Sequence, residues 1–202
     1  MTIGAVKKLA NAIYSLSEYM KERQPFTRHL SPEYLLLGML KISPSHGYDL
    51  HQQIERDLRY VWRLSLSQVY SVLNRLEKRG MITGKIMQQD ERPDRKRFQL
   101  TPAGERQFKQ WLETPVGASV HAVRIAFLSK LYLAQRLPDV EIKPLFLRQQ
   151  EALQKGLTGL EQTHAELDPS RNISGQALRL RISQLQSLLR WLAEYEHVWI
   201  KG

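Results

Sequence analysis

Ser65-Leu66-Ser67-Gln68-Val69-Tyr70-Ser71-Val72-Leu73-Asn74-Arg75-Leu76-Glu77-Lys78-Arg79-Gly80 predicts a helix with a physical reason for each end. Ser65 is a good N-cap, and Gln68 three residues later completes a capping box. Leu64 and Val69 are spaced to form a hydrophobic staple across the start. Gly80 stands where a left-handed C-terminal cap is needed, after the basic last turn Lys78-Arg79. Val69, Val72, Leu73 and Leu76 form one apolar stripe at 3-4 spacing. The other face carries Ser67, Gln68, Ser71, Asn74, Arg75 and Lys78, with Glu77 as its carboxylate. Short hydrogen-bonding side chains plus cations suit base edges and neighbouring phosphates, although an isolated helix with such a face is more often simply solvated.

The flanking sequence changes that weighting. Ser31-Pro32 opens a helix in which Tyr34 to Leu40 is apolar nearly all round, so it belongs at the centre of a core. Ser43-Pro44-Ser45 breaks the chain. A further helix starts at His46-Gly47-Tyr48-Asp49-Leu50, and a loop from Tyr60 to Leu64 leads into the helix at Ser65. This order is that of a helix-turn-helix. After Gly80, Met81 to Met87 and Arg97 to Thr101 have strand character around a polar turn, Gln88 to Lys96. Three helices followed by such a hairpin make a winged helix. Thr101-Pro102 caps a helix to about Glu113. The expected fold is mainly α, a winged helix-turn-helix with a two-stranded wing followed by an all-α region.

Three parts are expected: an N-terminal helical extension (1–29), the winged helix (30–114) and a helical dimerisation domain (115–202). The extension has Ile3, Val6, Leu9, Ala10, Ile13, Leu16 and Met20 on one side and ends before Pro25. The segment Thr114 to Ser119 is the best boundary. Beyond it, helices are expected over about Val120–Arg136, Leu145–Leu167 and Ser174–Ile200, with Pro138 and Pro144 bracketing a break. Leu178, Ile182, Leu185, Leu189 and Leu192 follow the 4-3-4-3 spacing of a coiled-coil seam. Packing within one subunit is the simpler alternative. Dimerisation is preferred because three helices of about 85 residues, with Leu188, Trp191 and Val198 left over beside the seam, make a thin core alone.

The chain has 202 residues and a net charge of +10. Up to Pro115 there are 19 Lys/Arg against 12 Asp/Glu, and beyond it 11 against 8, so the basic excess lies with the winged helix. That points to a polyanion partner. Cysteine is absent, which excludes disulfides and thiolate metal sites and fits the cytoplasm. No secretory signal or membrane span is evident. The six histidines are scattered, and no phosphate loop or nucleophile motif occurs, so neither an enzyme, a metal site nor a cofactor is expected. Trp62, Trp111, Trp191 and Trp199 are read as core in preference to an effector pocket.

Three motifs resemble the PadR family of bacterial transcriptional regulators. His46-Gly47-Tyr48-Asp49-Leu50 is similar to the family's H-G-Y-[DE]-L. Gln68 to Ile82 looks like its recognition helix, and Arg92-Pro93-Asp94-Arg95-Lys96-Arg97-Phe98-Gln99-Leu100-Thr101-Pro102-Ala103-Gly104 like its wing, with Phe98 where tyrosine is usual. Order and spacing agree over about Leu30 to Glu113. Tyr60-Val61-Trp62, the wing and the long C-terminal part look most like the virulence-activator branch, which implies a C-terminal helical dimerisation domain.

These readings give the candidate residues. Ser67, Gln68, Tyr70, Ser71, Asn74 and Arg75 form the reading face. Gln68 and Asn74 are able to bind adenine bidentately, and Arg75 could bind guanine or a phosphate. Tyr70 either packs or, as the resemblance implies, sets its hydroxyl on a phosphate. His46, Gly47 and Tyr48 offer helix N-terminal N–H groups to a phosphate, and Arg92, Arg95, Lys96 and Arg97 supply charge from the wing. The expected protein is a homodimeric, sequence-specific double-stranded-DNA-binding regulator of a palindromic operator. Repression is preferred, and a small-molecule effector is kept as an option. The alternative is a winged helix that only binds proteins.

Overall fold

A computed structural model of the chain describes residues 30–87, 95–166 and 173–200. The extension expected at 1–29 and the wing residue Arg92 lie outside them. The elements in chain order are α1 (Pro32–Ile42), β1 (Ser45–His46), α2 (Gly47–Asp57), α3 (Leu66–Lys78), β2 (Ile82–Met87), β3 (Arg95–Leu100) and α4 (Pro102–Glu113). Then come α5 (Val120–Ala122), a π-helical turn (Val123–Phe127), α6 (Leu128–Ala134), α7 (Ile142–Glu166) and α8 (Ile173–Ile200). None of the described helices is long and apolar enough to cross a membrane.

The mainly helical architecture with a winged helix is as expected. Ser31 caps α1 through the Glu33 amide, Pro32 occupies the first turn, and every residue from Tyr34 to Leu40 is buried. Tyr34 stacks on Trp111 of α4 with ring centroids 5.2 Å apart. Thr101 caps α4 through the Gly104 amide. Gly80, at φ +69°, closes α3 in the conformation that disfavours a side chain.

The sheet departs from the two-stranded wing. It has three antiparallel strands in the order β1-β3-β2, with Ser45 opposite Phe98, His46 opposite Arg97, and β2 paired with β3 from Ile82↔Leu100 to Met87↔Arg95. Two residues after a proline are too few for a period-2 pattern, so β1 exists only because the edge of β3 is there to pair with it.

The helix expected over Val120–Arg136 forms, but its middle widens: the Leu128 amide bonds the Val123 carbonyl, one residue further than in an α-helix. Just after the wide turn, the Ser129 hydroxyl donates to the Ile125 carbonyl (2.6 Å) and accepts from the Trp62 indole (2.8 Å). The second helix starts earlier than expected, at Ile142, because Pro144 is tolerated in a first turn where its missing N–H has no intrahelical partner.

The segment Thr114–Ser119 is short on apolar side chains yet firmly held. Both backbone polar groups of buried Val116 bind the side chain of buried Gln149, N–H to Oε1 at 2.9 Å and C=O to Nε2 at 3.1 Å. The Lys130 side chain, only 2% exposed, donates to the Thr114 carbonyl and lies 4.9 Å from the Trp111 ring. Burial, aided by Arg148, lowers its pKa from 10.5 to about 7. Gln53 of α2 donates to the Tyr132 hydroxyl of α6 (2.8 Å), which donates to Asp57 (2.8 Å). One hydrophobic core runs through both regions.

The C-terminal seam packs within the chain. Leu178, Leu185 and Leu192 are buried and Ile182 and Leu189 half-buried, packed within the chain, with α7 as the main partner of α8. Leu185 faces Gly156 of α7. A heptad stripe requires an apolar helix opposite, and α7 meets that need in the same chain. Outside the seam, α8 keeps Leu180, Tyr195 and Val198 exposed, with Leu188 and Trp191 half-buried. Trp62 and Trp111 are buried in the core, as expected.

Candidate nucleic-acid interface

The reading helix α3 is built as its sequence requires. Ser65 Oγ accepts from the Gln68 amide (3.3 Å) and Gln68 Oε1 accepts from the Ser65 amide (2.8 Å), a complete capping box. Val69, Val72, Leu73 and Leu76 are buried. Ser67, Gln68, Tyr70, Ser71, Asn74, Arg75 and Lys78 are exposed together on the opposite side. The helix is thus fixed at its start and along its inner face, and the outward side chains project from a rigid element.

Gln68 is held as its capping box requires, and two further expected residues are engaged in ways the sequence did not suggest. Gln68 has its carbonyl oxygen in the capping box, so a bidentate hold on adenine would cost it the cap; its Nε2 donors are what it can offer a base. Arg75 is engaged through one of its nitrogens. Its Nε donates to Glu33 Oε1 (2.5 Å), while Arg79 donates to Glu33 Oε2 (2.8 Å). Glu33, with a side chain 12% exposed, thereby ties α1 to two arginines of the α3 end. Lys96 of the wing is similarly held by Glu77 Oε2 (2.6 Å), whose other oxygen accepts from the Gly84 amide (3.1 Å). This carboxylate sets the angle between the wing and α3.

The start of α2 also differs from expectation. His46 is half-buried, with Nδ1 at 3.0 Å from the Lys96 carbonyl, so it fastens β1 to the wing. Gly47 is buried under Tyr70; a Cβ there would lie 2.6 Å from the Tyr70 ring. Close packing on Tyr70 accounts for a glycine at that position, and the start of α2 carries no side-chain cap. Tyr70 therefore packs on one side and remains partly exposed on the other, and Tyr48 is the exposed member of the triplet. On the wing, Arg95 and Arg97 are exposed, with Arg97 Nε donating to the Pro44 carbonyl (3.2 Å).

The residues missed from sequence are the carboxylate partners. Glu33 lies 42 residues from Arg75, and no local spacing signals that pair. Glu77 was visible as the one acid on α3, but its partner Lys96 is set by β2–β3 pairing. Among the described residues no group of three or more His, Asp or Glu could hold a metal ion.

Residues 36–110 match the model of the transcriptional regulator PadR-like family. The negative transcriptional regulator PadR of Bacillus subtilis (strain 168) is 28% identical over 137 residues, covering 67% of this chain and 74% of its own. A probable transcriptional regulator of Mycobacterium tuberculosis is 25% identical over 85 residues, covering 42% of this chain and 44% of its own. The crystal structure of Bacillus subtilis PadR in complex with operator DNA aligns at 24% identity and a TM-score of 0.40, covering 80% of this chain and 94% of that one. The family model and the curated relatives together make residues 36–110 similar to PadR-like transcriptional regulators.

Proposed function

We propose that the chain is a sequence-specific regulator that binds double-stranded DNA as a homodimer. The observation that carries this reading is the outward face of α3, where Ser67, Gln68, Ser71 and Asn74 are exposed side by side on a helix locked by its capping box. Neutral hydrogen-bonding groups at the tip of a rigid helix are what base edges in a major groove require. The basic excess supports a polyanion partner, and the name of the Bacillus relative, a negative regulator, favours a repressor. Residues 30–114 act as the DNA-binding unit and 115–202 as the dimerisation unit, in the manner of the virulence-activator branch. Two copies meet through the outer stripe of α8, where the rings of Trp191 and Tyr195 lie 5.6 Å apart and Val198 is exposed.

A footprint of the full chain on the DNA upstream of its own gene tests this. Two protected half-sites about one helical turn apart, roughly 34–36 Å, are expected. No protection, with an intact fold, would leave the protein-interaction module as the better reading.

Control by a small molecule is a second reading with its own observation. A cleft of about 410 Å³ between α4 and the start of α7 has an apolar floor that includes Phe108, Leu112 and Leu145, with charges of both signs around it, Lys109 and Arg148 among the cations and Glu105 and Asp139 among the carboxylates. That is a common ligand volume. The Arg148 Nε is buried without a hydrogen-bond partner among the described residues. An effector there would have to change DNA affinity by binding free and DNA-bound forms differently. Titrating small amphipathic molecules, neutral and charged, against operator affinity tests it.

A further inference from the structure

The α2–α3 loop is short, and it is held at two points. Leu58 and Trp62 are buried, and the amides of Val61 and Trp62 both bond the Leu58 carbonyl at 2.8 Å. Anchoring Leu58 and Trp62 turns the residues beside them outward. Tyr60 is 79% exposed, the Arg59 guanidinium lies 4.7 Å from its ring centroid, and Arg63 is exposed next to Leu64. Flanked by two arginines, the Tyr60 ring offers a stacking face and a hydroxyl at the same edge.

These side chains edge an open concavity of about 720 Å³ lined by His51, Glu55, Arg59, Tyr60, Arg63, Leu64 and Ser65. Ser65 is the N-cap of α3, so the concavity adjoins the helix end that leads toward the groove. Three observations mark it as an anion site. Arg59 and Arg63 have no carboxylate partner among the described residues, whereas Arg75 and Arg79 are held by Glu33 and Lys96 by Glu77. Glu55 is the one carboxylate in the lining. The Nδ1 atom of His51, in the same lining, is buried without a hydrogen-bond partner. The positive end of the α3 dipole adds to the same field.

We infer that Arg59, Tyr60 and Arg63 form a DNA-backbone contact, taking the phosphates that flank the groove entered by α3. The inference rests on the DNA reading above and assigns its phosphate charge to a loop that carries no base-reading residue. A cation already neutralised by a carboxylate must give up that partner before it gains a phosphate; Arg59 and Arg63 have none to give up. Both arginines should each displace one phosphate counterion, while Tyr60 supplies a hydroxyl donor and an apolar face to the sugar edge.

The test is the salt dependence of binding to a mixed-sequence duplex of about three helical turns, measured by fluorescence anisotropy on the full chain. The wild-type slope comes first, so absence of any duplex binding would overturn the DNA reading itself. With binding present, R59A/R63A should lower the log–log slope by about 2, and weaken binding by the same factor on every duplex. R59K/R63K should keep the slope. R56A serves as the control, because Arg56 is equally exposed but already paired with Asp57 (2.8 Å), and should leave the slope unchanged. A double-alanine slope equal to wild type would overturn the inference alone. So would loss of binding to an acidic peptide with duplex binding intact.

Discussion

α3 and α8 are both amphipathic helices with apolar residues at three- and four-residue steps, yet the structure uses them differently. α3 has one stripe, four residues wide, sunk into its own domain, and apart from Leu66 and Tyr70 its other positions are polar. α8 has two. Its inner seam from Leu178 to Leu192 packs on α7, and a second set from Leu188 to Val198 lies beside it. Periodicity therefore tells which face is covered but not which chain covers it. A helix with more apolar surface than its own chain can cover is the one to examine for a partner.

The largest effects should come from cutting either inner stripe. Leu73→Ala and Leu185→Ala each remove a buried side chain and should cost about 2–5 kcal/mol in urea unfolding. Both losses should be independent of protein concentration. If the Leu185→Ala loss grows on dilution, the inner seam of α8 is a contact between subunits after all.

The junction between the two regions comes next. Lys130 is charged in the unfolded chain below 10.5, and in the folded chain only below about 7. Between these values the unfolded state binds more protons, so this group makes stability rise with pH across that window, by up to about 5 kcal/mol. Below about 7 its contribution is flat and unfavourable. Lys130→Met should abolish the rise in thermal melts taken at a series of pH values.

A smaller change is expected at the outer stripe of α8. Tyr195→Glu with Val198→Glu should weaken self-association at least tenfold, about 1.4 kcal/mol, in sedimentation, with helix content unchanged. An unaltered dimer would move the interface off this face.

Smallest of all is Glu33→Gln. Freeing Arg75 and Arg79 from an exposed-edge ion pair should change stability by less than about 1 kcal/mol and raise affinity for mixed-sequence duplex about two- to fivefold. A fall in affinity would mean that Glu33 holds Arg75 in its DNA-binding pose.

Much of the site was legible because its cause is local. The capping box at Ser65 and Gln68, the stripe from Val69 to Leu76, and Gly80 in the left-handed region all depend on residues within one or two turns. The wing strands were legible from their turn and alternation. What escaped depends on approach through space. Glu33 reaches Arg75 only because α1 crosses the end of α3, and β1 appears only beside β3. Gly47 reads as a helix start but serves to admit the Tyr70 ring. Thr114 to Ser119 resembles a linker in composition, yet Gln149 and Lys130 satisfy its backbone from helices further along the chain.

By itself the sequence determined the order of the helices and wing strands, the caps of α1, α3 and α4, which faces they bury, and that a basic winged helix carries the polar face of α3. These follow from propensity, capping and periodicity, which act over a few residues. Tertiary structure alone decided which cations are already neutralised, that Gly47 admits the Tyr70 ring, and that the seam of α8 is filled from within its own chain. Those outcomes depend on distances between segments far apart in sequence, and Coulomb and hydrogen-bond energies are set by distances of a few ångströms in space.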